Sequence, residues 1–139
     1  MPDCVIAIDP GDRHIGFASW RPRSGVQAKE VDASDFLKLL DGTMRNSKVD
    51  VVVVESFIIY PKNANALSWQ RLRTSEMIGA IRWISESNGA TIVEQAAAIK
   101  TPTRAQCTAR RLEWKHRSGH ASDAKLHLYH YLLKNGLIT

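Results

Sequence analysis

With 139 residues, 44% of them hydrophobic and 24% charged, the chain can bury one ordinary core over 1–139 and is too short for two domains. Its formal net charge of +5 and pI near 9.5 favour polyanionic partners, nucleic acid foremost, without requiring them. Two isolated cysteines, Cys4 and Cys107, argue against a disulfide framework or a cysteine zinc site. Asp3 and Asp9 interrupt the early apolar stretch, and no apolar run is long enough to span a bilayer, so a cytoplasmic protein is expected.

Val5 to Ile8 is a β-branched run that ends at Asp9-Pro10-Gly11, a strand followed by a turn. Ile15 to Trp20 and Val26 to Val31 read as two further strands, which completes an antiparallel meander. Ser34 is placed to cap the next helix, whose apolar face is Phe36, Leu37, Leu39, Leu40 and Met44. Val51 to Val54 is the signature of a strand covered on both faces, as in a parallel segment of a mixed sheet. A long helix is expected over 66–87, with Met77, Ile78, Ile81 and Ile84 near helical spacing and Gly89 beyond its end. Thr91 to Val93 is the fifth strand. A basic segment follows, and a terminal helix runs from about Ala121 to Leu133, stopped by Asn135-Gly136. The expected fold class is α/β: a five-stranded mixed sheet, its first three strands antiparallel, with helices on its faces.

Asp9 lies where the first strand runs out. Asp before Pro-Gly is also ordinary turn chemistry. Glu55 ends the valine run, where an unpaired carboxylate in a covered strand is costly to desolvate. It therefore reaches solvent or meets a cation. Asp123 opens the terminal helix, where an acid also suits the helix dipole, and His120 lies three residues before it. If the first and fourth strands are neighbours, Asp9 and Glu55 emerge together, and the last helix can deliver Asp123 and His120 to the same place. Gathered carboxylates repel one another and call for a hard divalent cation. Two such ions roughly 3.5–4 Å apart suit phosphodiester hydrolysis.

The same residues carry a family resemblance. Val5-Ile6-Ala7-Ile8-Asp9-Pro10-Gly11 with Gly16, Val52-Val53-Val54-Glu55, Lys62-Asn63-Ala64 and His120-Ala121-Ser122-Asp123-Ala124 resemble, in order, the motifs of RuvC Holliday junction resolvases. The resemblance spans nearly the whole chain and implies a ribonuclease H-like fold. It further implies Mg²⁺ held by Asp9, Glu55, Asp123 and His120, with Mn²⁺ as a substitute, and His120 as a ligand or as a base or acid near the attacking water. A homodimer acting on four-way DNA is implied too, with the 66–87 helix at its interface. Two departures stand out: about two extra residues between Glu55 and Lys62, and a short 93–120 segment without the family's glycine-rich stretch.

The resemblance also points to an aromatic side chain past the glutamate, Phe57 or Tyr60, that stacks on bases at the junction. Lys62, Arg71 and Arg73 lie close by in the sequence. Lys100, Arg104, Arg110, Arg111 and Lys115 form a basic run suited to phosphates, although such runs are often only solvated faces. Rival readings are a nuclease for forks, flaps or RNA–DNA hybrids, and a junction-binding protein without catalysis. An actin-like nucleotide site is a third, disfavoured because it needs two lobes.

Overall fold

A computed structural model describes residues 1–56 and 69–139, the side chains of 69–72 excepted. The strands are β1 (Val5–Asp9), β2 (His14–Arg21), β3 (Gly25–Asp32), β4 (Val51–Glu55) and β5 (Thr91–Gln95). The helices are α1 (Ala33–Asn46), α2 (Trp69–Ser87), α3 (Lys100–Ala109) and α4 (Gly119–Lys134), with a short 3₁₀ turn over Ala97–Ile99. One sheet has the order β3-β2-β1-β4-β5. β1 pairs antiparallel with β2 and parallel with β4, and β4 pairs parallel with β5. This is the mixed sheet expected from the sequence.

Strand alternation decides what each face carries, because successive side chains point to opposite sides. Ile6, Ile8 and Val52 pack with Phe36, Leu40, Met44, Ile81 and Ile84 of α1 and α2. Val5, Ala7, Val51 and Val53 face the other way, onto Cys107 of α3 and Ala124, Leu128 and Leu132 of α4. The central strands are covered on both faces, which is why their sequences are runs of β-branched residues rather than alternations. Extending the same parity one step puts Asp9, Glu55 and Gln95 on the α4 face, at the ends of three neighbouring strands.

Two helix starts differ from expectation. The residue before α1 is Asp32, whose side chain makes no cap bond, and Ser34 lies inside the first turn. Asp32 instead faces His14 across the β2–β3 pair, at 3.6 Å. α4 starts at Gly119, two residues early, because Ser118 supplies the cap by accepting from the Ala121 N–H at 3.2 Å. The basic run is helical only as far as Ala109, and Arg111, with φ of 58°, lies just beyond the end of α3. Among the described residues no helix is long and apolar enough to cross a membrane.

The entry to β1 is fixed by a carboxylate. Asp50 Oδ2 accepts the backbone N–H of Asp3 at 2.8 Å and of Cys4 at 3.0 Å, which aligns β1 beside β4. Burial opposes ionisation of Asp50, but these two donors and Lys48 outweigh it and hold the carboxyl below its ordinary value. A group with a lowered folded pKa stabilises above its unfolded pKa and loses that contribution as pH falls. Asp50→Ala is therefore expected to cost about 1–2 kcal/mol at pH 7, with the gap to the parent narrowing as pH falls below 4. Urea melts at pH 7 and pH 3 test this; a deficit that is the same at both would contradict it.

Candidate active site

β1 and β4 run parallel and in register from Val5↔Val51 to Ile8↔Val54, so their next residues, Asp9 and Glu55, come out side by side. α4 crosses the same face. Its His120, Asp123 and His127 follow a three-then-four spacing, which aligns them in one stripe. Close approach at this end of α4 depends on Gly16, which pairs with Asp9 across β1–β2. A Cβ at position 16 would overlap the carbonyl of His120. Gly11 serves the turn after Asp9 in the same way, because a Cβ there would run into the His14 carbonyl.

Asp9 is only 5% exposed and meets His120 Nδ1 through Oδ2 at 3.0 Å. Burial pushes its carboxyl up to about 6, with the His120 hydrogen bond opposing and the charges of Glu55 and Asp123 reinforcing. Glu55 lies at the opposite extreme. Burial would raise its pKa as well, but hydrogen bonds from His127 at 3.2 Å and Lys100 at 2.9 Å hold it near 2. Lys100 Nζ also reaches Asp123 Oδ2 at 3.1 Å, so one ammonium bridges two carboxylates. Burial would lower the Lys100 pKa, but the two acids override it and raise it.

The structure thus brings Asp9, Glu55, His120 and Asp123 to one end of the sheet as two linked groups, Asp9–His120 and Glu55–Lys100–Asp123. Among the described residues, no three His, Cys, Asp or Glu side chains close around one point as a finished metal cage. The donor set still suits a hard cation: oxygen-rich, with one imidazole, and with a buried carboxyl raised partly by two like charges that a cation would offset.

Lys100 has partners that the sequence did not indicate. It was grouped with the phosphate-contacting run, but it is the first residue of α3, which the 3₁₀ turn after β5 delivers directly beside Glu55. Arg104, Arg110, Arg111 and Lys115 are exposed, and Arg104 lies over the Trp114 ring at 5.0 Å. Arg73 is exposed and borders a groove between α1 and α2 with Arg13, Leu37 and Met77. Phe57, Tyr60 and Lys62 lie outside the described residues, as does the Arg71 side chain. His127 and Gln95 were missed. Their signal was available: Gln95 has the parity of a core-facing strand position, and His127 falls one turn after Asp123.

No protein-family model matches the sequence, and no curated protein matches it. The fold, however, has solved counterparts. Thermus thermophilus RuvC in complex with a Holliday junction substrate superposes with a TM-score of 0.70 at 15% identity, covering 96% of both chains. A second Thermus thermophilus RuvC structure gives 0.67, with the same identity and coverage. The fold is that of RuvC. It is thereby a ribonuclease H-like α/β fold, as the resemblance implied. YeaZ from Pseudomonas aeruginosa is more distant, at 0.51 and 10% identity over 77% of this chain and 51% of that one.

The contact at Gly16 makes a direct prediction. Gly16→Ala must push α4 off the sheet end, so a loss of about 1–3 kcal/mol of stability is expected, with the His120–Asp9 contact disturbed. Thermal and urea melts measure the first, and unchanged stability would mean that the approach is looser than the geometry states.

Proposed function

We propose that this chain is a divalent-metal-dependent endonuclease that resolves four-way DNA junctions by paired nicks. The observation that carries the reading is that a RuvC fold brings Asp9, Glu55 and Asp123 to one end of its sheet, where Asp9 is raised to about 6 chiefly by burial and further by the charges of the other two. A site that only bound DNA would gain nothing from negative charge crowded at its centre. On this reading Asp9, Glu55, Asp123 and His120 hold Mg²⁺, two ions being the natural complement, or Mn²⁺ in its place. Bound there, such ions would activate water and stabilise the leaving oxygen of a phosphodiester.

The chain's own groups do the rest. His120, hydrogen-bonded to Asp9, stands where it can serve as a ligand or exchange a proton with water. Lys100 bridges Glu55 and Asp123 and offsets part of their charge, which lets the two acids lie together. The exposed cations Arg104, Arg110, Arg111 and Lys115 follow Lys100 in sequence, an arrangement suited to holding duplex arms by their phosphates. Phe57 or Tyr60 remains the proposed stacking residue, with Lys62, Arg71 and Arg73 as neighbouring phosphate contacts. A homodimer would supply the two nicks, and α2 carries Trp83, 71% exposed, on a surface a second copy could cover. The proposed unit is one nuclease domain, 1–139, acting in the cytoplasm.

Synthetic four-way junction, fork, linear duplex and RNA–DNA hybrid, each with Mg²⁺, Mn²⁺ or EDTA, test the reading. Symmetric nicks in the junction are expected, abolished by EDTA and reduced at least 100-fold by Asp9→Asn. Metal-dependent cutting of fork or hybrid instead would move the function to a broader nuclease. Binding without cutting would sink the catalytic reading.

Junction affinity should also fall steeply with salt, and the Arg110→Ala/Arg111→Ala double variant should flatten the log–log slope by up to about 2. Titrations between 50 and 200 mM salt measure it. A salt-insensitive affinity would remove phosphate contacts from the account of this surface.

A further inference from the structure

His127 has no part in the proposed ligand set, yet it is fully buried at 0% exposure and both its ring nitrogens are engaged. Nδ1 lies 2.8 Å from the end of the Gln95 side chain, and Nε2 lies 3.2 Å from Glu55 Oε1. With the Gln95 oxygen turned to the ring, both nitrogens face acceptors, which a neutral imidazole carrying one N–H cannot satisfy. Rotating the Gln95 amide by half a turn exchanges two atoms of nearly equal size and offers Nδ1 a donor. Nδ1 then accepts, and the ring proton lies on Nε2, aimed at the carboxylate.

We propose that Gln95 and His127 form a positioning relay for Glu55, in which the Gln95 amide sets the His127 tautomer and His127 Nε2–H donates to the Glu55 carboxylate to orient it for a cation. The inference rests on the metal reading of the site and deepens it. Three features support it independently of one another. Strand register pairs Glu55 with Gln95, so the relay's two ends are neighbours by backbone design. Ser56 N–H and Oγ both reach the Gln95 carbonyl, at 2.7 and 3.2 Å, and lock the ends of β4 and β5 together. His127 itself is fully buried on α4, at 0% exposure, so its ring is enclosed by the fold.

The contrast with Lys100 explains why such a relay is useful. Lys100 and His127 meet the same Glu55 oxygen, Oε1. The lysine is a flexible side chain that an arriving ion would displace, whereas a buried imidazole fixed on α4 can stay. Ligating carboxylates commonly keep a hydrogen-bond partner of this kind, and losing it typically weakens metal affinity 10–100-fold.

The test uses the full chain and two readouts. ¹⁵N-histidine NMR of the metal-free protein at pH 8 reads the tautomer, and calorimetric titration with Mn²⁺ reads affinity, for wild type, His127→Leu, His127→Gln and Gln95→Leu. The expected results are an Nε2–H tautomer in wild type and mixed tautomers in Gln95→Leu. Mn²⁺ binding should weaken about 10–100-fold in His127→Leu and recover in part in His127→Gln, whose amide can still donate. Circular dichroism melts confirm folding, and His127→Gln carries the comparison if His127→Leu does not fold. An Nδ1–H or doubly protonated ring in wild type overturns the relay, as does a folded His127→Leu that binds Mn²⁺ like wild type. Wild type that binds no Mn²⁺ despite an Nε2–H ring overturns the metal reading and with it the role of the relay, a failure told apart by the intact NMR signature.

Discussion

Asp9 and Glu55 share one end of one sheet face with Asp123 of α4 against it, and burying acids there sets the conditions for the groups around them. Asp9 is the most buried and is pushed towards neutrality, while Glu55, a strand away, is held firmly ionised by Lys100 and His127. Neighbouring acids are thus driven in opposite directions by what each one meets. The compensation is local and shared. His120 answers Asp9, Lys100 answers Glu55 and Asp123 together, and His127 answers Glu55 from beneath. Remove these partners and the cluster would oppose the packing that assembles it.

Packing meets that demand through small residues. Gly16 lets the α4 backbone touch β2, and Ala121 and Ala124 are fully buried beside it, so the helix carrying His120, Asp123 and His127 comes close to the strand ends. Ser118 caps the helix and donates to Glu30 at 2.8 Å, which fixes its start against β3. Ser122, hydrogen-bonded to the His116 backbone at 2.8 and 2.9 Å, ties the preceding loop to the same turn. Position and electrostatics are thus determined by the same short stretch of chain.

Much of this was legible in the sequence because strand parity is legible. Once Val51–Val54 is read as a doubly covered strand next to Val5–Ile8, Asp9 and Glu55 must share a face, and a helix with His and Asp three apart can serve both. The partners were harder to see because each acts across the fold. Lys100 looks like one cation in a basic run until the turn at Ala97–Ile99 is known to point it inward. His127 looks like a core histidine, and Gln95 like a polar end to a strand; only the β4–β5 register joins them to Glu55. The Ser34 cap failed for a related reason: β3 runs on to Asp32 without a break, so the helix begins before the serine is reached.

The same reasoning accounts for a fold kept at 15% identity. What the sheet end requires is parity in three strands and absence of a side chain at one crossing point. Those demands leave most side chains free to change. A lysine at the head of α3 and a histidine–glutamine pair beneath the site are one solution among several that the architecture permits.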